Sequence, residues 1–216
     1  MLKILLPATL AVLVLPAAAH ATGGEVGVRA STLGLGVYAG ARLGDHLSLR
    51  AIANGYDRDY HHTSDDIRYA GKMKLGSAGL QLDYRPAADG SFYLTAGLYA
   101  NGNKVRETAT PTSNARVGGI SYTPAQIGTL TGRARFQSAA PYLGLGWNFP
   151  VGPVAVNLEA GAYFQGKARV TLTSDGTYAA DPSYQAALEQ ERLSLRHDLN
   201  KLSTWPVAAL GVSYRF

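Results

Sequence analysis

The chain of 216 residues has no cysteine, and only two methionines, two tryptophans and five phenylalanines. Without cysteine there is neither a disulfide framework nor a lipid-anchored cysteine at an exported N-terminus. Long apolar runs are missing too. The apolar stretch at residues 4–16 falls short of the ~20 residues that a membrane-crossing helix requires, which excludes a helical membrane protein. Charge is scarce as well, at 16% of residues against ~25% in soluble domains. The charges are dispersed, with no block of one sign and no basic patch interleaved with aromatics, so the net charge of +5 carries no nucleic-acid reading.

What is abundant is glycine, with 25 residues, and tyrosine, with 13. At the start, Lys3 precedes the apolar run, and Ala19, His20 and Ala21 form a small-x-small cleavage pattern. Residues 1–21 therefore read as a secretory signal peptide and residues 22–216 as one domain.

Alternation with period 2 dominates the remainder. Over residues 154–173, Val154, Val156, Leu158, Ala160, Ala162, Phe164, Gly166, Ala168, Val170 and Leu172 form one face. Asn157, Glu159, Gly161, Tyr163, Gln165, Lys167, Arg169 and Thr171 form the other. A transmembrane strand needs ~9 to 11 residues with apolar positions toward lipid and polar ones toward the lumen. Similar segments lie at 25–31, 33–43, 46–60, 67–84, 91–108, 132–149 and 204–216, giving eight strands. The expected fold is all-β: a closed eight-stranded antiparallel transmembrane barrel. Connections at 43–45, 86–90 and 150–153 are then short inner turns, and 61–66, 109–131 and 174–203 longer outer loops, with a very tight first outer turn near Thr32. Tyr84, Phe92, Trp147, Phe149, Tyr214 and Phe216 all fall at the inner ends, where an aromatic belt meets lipid headgroups.

Two strands break their alternation. Met73 and Leu75 oppose Leu80, Leu82 and Tyr84 in parity, and Phe136 opposes Leu143, Leu145 and Trp147. A β-bulge at Gly76 and Ser77, and another within 138–141, is expected to restore each pattern. The last outer loop carries a helix over 182–202, capped by Asp181 with Pro182 in the first position. Tyr184, Leu188, Leu195, Leu199 and Leu202 form its apolar stripe, which packs over the barrel mouth, against lipid or on a partner.

An eight-stranded barrel is just wide enough for its interior to be filled by side chains. Inward glycines alternate with inward Tyr38, Tyr93, Tyr99, Tyr142 and Tyr163. Inward charges include Arg29, Arg42, Arg50, Asp83, Glu159, Lys167, Arg169 and Arg215, and such charges need partners. Glu159 and Arg50 stand at similar heights above their inner turns and form the first candidate pair. Lys167 and Arg169 follow as partners of Glu159, and Asp83 is assigned to an arginine nearer the inner mouth. The network reads as a clamp or as a gate that exchanges partners. Asp57, Asp59, His61, His62, Asp65 and Asp66 cluster at an outer tip without diagnostic metal spacing, and read as solvated loop charge. His46, His61, His62 and His197 form no compact Ser/His/acid pattern, so no enzyme is expected. No cofactor or metal is expected either.

The final strand, with Leu210, Val212, Tyr214 and terminal Phe216 alternating with small or polar residues, resembles the closing strand of bacterial outer-membrane barrels. In those proteins it is the assembly signal. Together with GLQLDYRP at 79–86, GLYANGNK at 97–104 and APYLGLGW at 140–147, it resembles the small outer-membrane barrels of the OmpA, OmpX and OmpW-like group. The resemblance implies the outer membrane of a Gram-negative bacterium and a lumenal salt-bridge network; because the sequence ends on its last strand, the peptidoglycan-binding domain of the OmpA kind is not expected. Expected partners are outer-membrane lipid and lipopolysaccharide, the barrel assembly machinery, and a small polar solute or surface ligand. Three roles stay open: a structural or surface-interaction barrel, a narrow OmpW-like channel for small polar solutes and, more remotely, a lipid A-modifying enzyme.

Overall fold

The computed structural model describes residues 23–216; the signal peptide expected at 1–21 lies outside the described residues. Four antiparallel strands open the fold: β1 (Gly23–Ser31), β2 (Gly34–Arg42), β3 (Leu47–Ser64) and β4 (Ile67–Tyr84). β5 (Phe92–Asn101) continues as β6 (Lys104–Pro111), and a small hairpin of β7 (Ala115–Val117) and β8 (Ile120–Tyr122) leads to α1 (Pro124–Ile127). β9 (Leu130–Arg135) runs into β10 (Ala139–Val151), β11 (Val154–Phe164) into β12 (Arg169–Ser174), and α2 (Pro182–Asn200) precedes β13 (Thr204–Arg215).

The ring closes with eight members, in the order β1, β2, β3, β4, β5, β10, β11 and β13. β13 lies antiparallel to β1, and Gly24 and Phe216 exchange backbone hydrogen bonds of 2.7 and 2.9 Å at the seam. Closure leaves no unpaired edge in the ring, which is what a sheet in lipid requires. The first outer turn is as tight as expected. Gly34 takes a φ of +108°, a region that disfavours any side chain, and the Ser31 hydroxyl donates to its carbonyl at 3.0 Å.

Outward positions are apolar and exposed: Val26, Val28, Leu80, Leu82, Leu94, Leu98, Leu143, Leu158, Leu210 and Val212. Tyr84, Trp147, Phe149, Tyr214 and Phe216 are likewise exposed at the inner ends, with Phe92 against Trp147 at 5.6 Å between ring centroids. A continuous belt of this kind around a closed sheet is the surface that lipid covers.

Both expected bulges are absent. β3 and β4 pair in one unbroken register from Leu47↔Tyr84 to Ser64↔Ile67. Met73 and Leu75 share the parity of buried Ser77, Gln81 and Asp83, so they face the inside above the ring. Phe136 likewise faces inward, against Ala134, Ala168 and Val170. Apolar residues of these strands face lipid only within the ring. Above the bilayer the apolar side of the wall turns inward.

The unbroken alternation read over 154–173 is corrected instead. Arg135 and Tyr142 are seven positions apart, but Tyr163 and Arg169 on the paired strand are only six apart, so the facing changes between β11 and β12. Gly166 marks the change with a φ of +72°. Ala168 and Val170 consequently point in, and Lys167 and Arg169 are exposed outside. This break is stitched to the end of α2: Gln165 Nε2 donates to the Leu202 carbonyl at 2.8 Å, Gly166 N to the Ser203 carbonyl at 3.1 Å, and Ala168 N to Asn200 Oδ1 at 3.0 Å.

The outer loops also differ from expectation. The 61–66 loop shrinks to a turn at Asp65 and Asp66, both at positive φ, because β3 and β4 run on to Ser64 and Ile67. The 109–131 segment is ordered as the ends of β6 and β9 with β7, β8 and α1 between them. Its Val117, Tyr122 and Ile127 form a second core with Tyr184, Ala187 and Leu188 of α2.

α2 is capped as expected, with Asp181 Oδ1 accepting from Ser183 N and Tyr184 N at 2.9 Å each. Of its anticipated stripe, Tyr184 and Leu188 are buried and Leu199 partly so, whereas Leu195 and Leu202 are exposed. Asp181→Ala should therefore cost about 1 kcal/mol of helix stability. The expected readout is earlier proteolytic cleavage within 175–203 with unchanged heat-modifiable gel migration of the barrel; cleavage at the wild-type rate would refute it.

Candidate functional site

The lumen is filled at mid-height by a charge cluster. Glu159 projects from β11, Arg50 from β3, Asp83 from β4 and Arg29 from β1, all nearly fully buried. Arg50 Nη2 donates to Glu159 Oε2 at 2.8 Å, while its Nε and Nη2 grip Asp83 Oδ2 and Oδ1 at 2.5 and 2.8 Å. Arg29 Nη2 reaches Glu159 Oε1 at 3.3 Å. Neutral donors complete the shell of Glu159: Tyr142 Oη at 2.8 Å, Tyr93 Oη at 3.2 Å and Gln81 Nε2 at 3.3 Å. The Arg50 guanidinium carbon also lies 5.1 Å from the centre of the Tyr93 ring. Two cations and two carboxylates balance, which limits the cost of burying them.

The structure joins Arg50, Asp83 and Glu159 but leaves Lys167 and Arg169 outside. Those two stand beyond the change of facing at Gly166, on the outer wall. Asp83 serves Arg50 itself, because Ser48↔Asp83 and Arg50↔Gln81 are adjacent pairs in the register and the two side chains meet diagonally. Arg29 is the member that the alternation placed inside without assigning it to Glu159. Its strand lies next to β13, which lies next to β11, and Gly211 stands opposite both Arg29 and Asn157. The missing side chain at Gly211 leaves room for Arg29 to cross.

Glycines make room for the aromatics as well. A Cβ on Gly146 would come within 2.4 Å of the Tyr93 ring, and one on Gly161 within 2.4 Å of the Tyr142 hydroxyl. Tyr99, Tyr142 and Tyr163 meet edge-on at centroid distances of 6.0 and 5.5 Å. With Leu33, Ile52, Ala140 and Val207 they form an apolar layer across the lumen. On the inner side of the cluster, Glu25, Arg42, Ser48, Arg85, Asn148 and Arg215 line an open vestibule.

At the outer tip, Asp57 and Asp59 each approach Lys72 Nζ at 3.5 Å, and His62 stacks on Tyr69 at 4.6 Å between centroids. Among the described residues no group of three or more His, Cys, Asp or Glu side chains is arranged to hold a metal ion. His46 Nδ1 lies 2.7 Å from the Arg85 carbonyl at the inner end, whereas His61 and His62 stand near the outer tip of β3.

The closed ring, lipid-facing belt, inner aromatic girdle and filled lumen define an integral outer-membrane β-barrel of the small eight-stranded class. No protein-family model matches the chain, and no curated protein matches it by sequence. Among solved structures it is similar to CarO of Acinetobacter baumannii, at 22% identity and a TM-score of 0.62, over 92% of this chain and 99% of that one. It is also similar to CarO2 of Acinetobacter baumannii, at 19% identity and a TM-score of 0.64, over 90% and 98% of the two chains. At these identities the likeness is one of fold.

Proposed function

We propose that the barrel is a structural, surface-presenting protein of the outer membrane whose lumen is held shut by the Arg29, Glu159, Arg50 and Asp83 clamp. The observation that carries this reading is the clamp lying under the Tyr99, Tyr142 and Tyr163 layer, with every member nearly fully buried. A gate that exchanges partners would need a spare partner close by. Lys167 and Arg169, the candidates for that part, lie outside the lumen. The folded outer segment of β7, β8, α1 and α2 then serves as the presented surface, and Leu210, Val212, Tyr214 and Phe216 as the strand read by the assembly machinery.

Planar-bilayer recording of the refolded protein tests it. The wild-type barrel is expected to show no discrete conductance steps. Reproducible steps carried by small polar solutes or ions would replace the closed reading with that of a narrow channel.

A further inference from the structure

Five strands, β3, β4, β6, β9 and β12, rise beyond the ring as a wall. α2 packs along β12 on the inward side, with Leu199 against the cluster of Ala134, Ala168 and Val170. The outward side is basic. Lys74↔Lys104, Lys104↔Arg135 and Arg135↔Arg169 are directly opposed pairs, forming one row across four strands. Lys72↔Arg106 and Arg106↔Arg133 form a second row beside it. These positions continue the parity of lipid-facing Leu80, Leu98 and Leu143, and Arg169 joins them through the change of facing at Gly166.

Like charges placed directly opposite each other destabilise a sheet. Among the described residues, the carboxylates within ion-pair distance of this face are Asp57 and Asp59, both on Lys72. Height supplies the counter-charge. Lys74 is ten residues from Tyr84 along β4, about 33 Å of strand and about 25 Å of height at a tilt near 40°. That matches the ~25 Å apolar band of such barrels, with Tyr84 in the inner girdle and Lys74 at the outer headgroups. Lys104 and Arg135 stand twelve residues from Phe92 and Trp147, about 30 Å higher by the same geometry.

We propose that this face binds the phosphate groups of the phosphorylated glycolipid in the outer leaflet. Arginine forks at 106, 133, 135 and 169 suit bidentate contact with phosphate oxygens, and the lysines add point charge beside them. Lipid acyl chains pack on Leu80, Leu98 and Leu143 below, so one molecule satisfies both halves of the surface. The assignment rests on the membrane-spanning reading of the barrel.

The test uses the refolded full mature chain in phosphatidylcholine vesicles doped with diphosphorylated lipid A, its dephosphorylated form or phosphatidylglycerol, followed by detergent extraction and analysis of retained lipid. Wild type should retain the diphosphorylated form over the dephosphorylated one by about fivefold for each cation engaged. A variant with Lys104→Gln, Arg106→Gln, Arg133→Gln and Arg135→Gln should lose that preference while keeping heat-modifiable migration. If that variant does not fold, Arg106→Gln and Arg135→Gln singly should each reduce the preference by about fivefold. Equal retention of the two lipid A forms, or an undiminished preference in the variants, overturns the proposal. Retention of phosphatidylglycerol as strong as that of diphosphorylated lipid A overturns the glycolipid assignment. Failure of wild type to insert at all would instead overturn the membrane reading, which vesicle flotation registers separately.

Discussion

Glu159→Gln is expected to lower the stability of the folded barrel by about 3 kcal/mol or more. Glutamine keeps the shape and accepts from Tyr142 and one arginine, but it removes half of the negative charge in the cluster. Arg50 retains its fork on Asp83. Arg29 keeps no carboxylate, and a buried cation without one costs several kcal/mol. Urea unfolding in lipid vesicles should therefore show a lower midpoint, with bilayer conductance as silent as wild type. An unchanged midpoint would show that the cluster is hydrated rather than clamped. A normal midpoint with new conductance steps would make Glu159 a gate and sink the closed reading.

Ala160→Arg should cost about 2 to 4 kcal/mol. Ala160 points to lipid from the middle of β11, between Leu145 of β10 and Ala208 of β13, where a guanidinium finds neither water nor an acid. Thr63→Arg at the exposed hairpin tip is the control and should be nearly silent. The same vesicle unfolding measures both, and equal midpoints for the two variants would show that the outward face has been misassigned.

Much of the fold was legible because lipid imposes a strict rule on each strand. Where a segment meets lipid on one side and a packed lumen on the other, alternation reports its facing directly, as in β11, β13 and the inner half of β4. The rule lapses above the bilayer, and the misread residues cluster there. Met73, Leu75 and Phe136 are apolar yet face inward, and Lys167 and Arg169 lie past a change of facing that a single glycine accommodates. Asp181 and Pro182 marked the start of α2 because capping is local chemistry. The core that the helix joins was not readable, since Val117, Tyr122 and Ile127 come from a distant loop.

The candidate site was partly legible for the same reason. The inward facing of Arg50, Asp83 and Glu159 follows from strand parity, but which partners meet depends on register between strands distant in sequence. Arg29 needed the closed ring, in which β1 returns beside β13. The basic face was hidden more thoroughly. Its charges are scattered singly or in pairs along the chain and become neighbours only through cross-strand pairing.

The difference in strand length gives the molecule a tall and a short flank. β1 and β2 meet at a turn level with the ring, whereas β3 and β4 stay paired as far as Ser64 and Ile67. A load applied from outside the cell, by a tether or an antibody, therefore reaches the membrane off-axis, through the tall hairpin. Pulled at its turn, both strands of that hairpin take the force together, and the hydrogen-bond ladders that join it to β2 on one side and to β5 and β6 on the other carry it in shear. The seam between the first and last strands stands on the sheltered side of the cylinder.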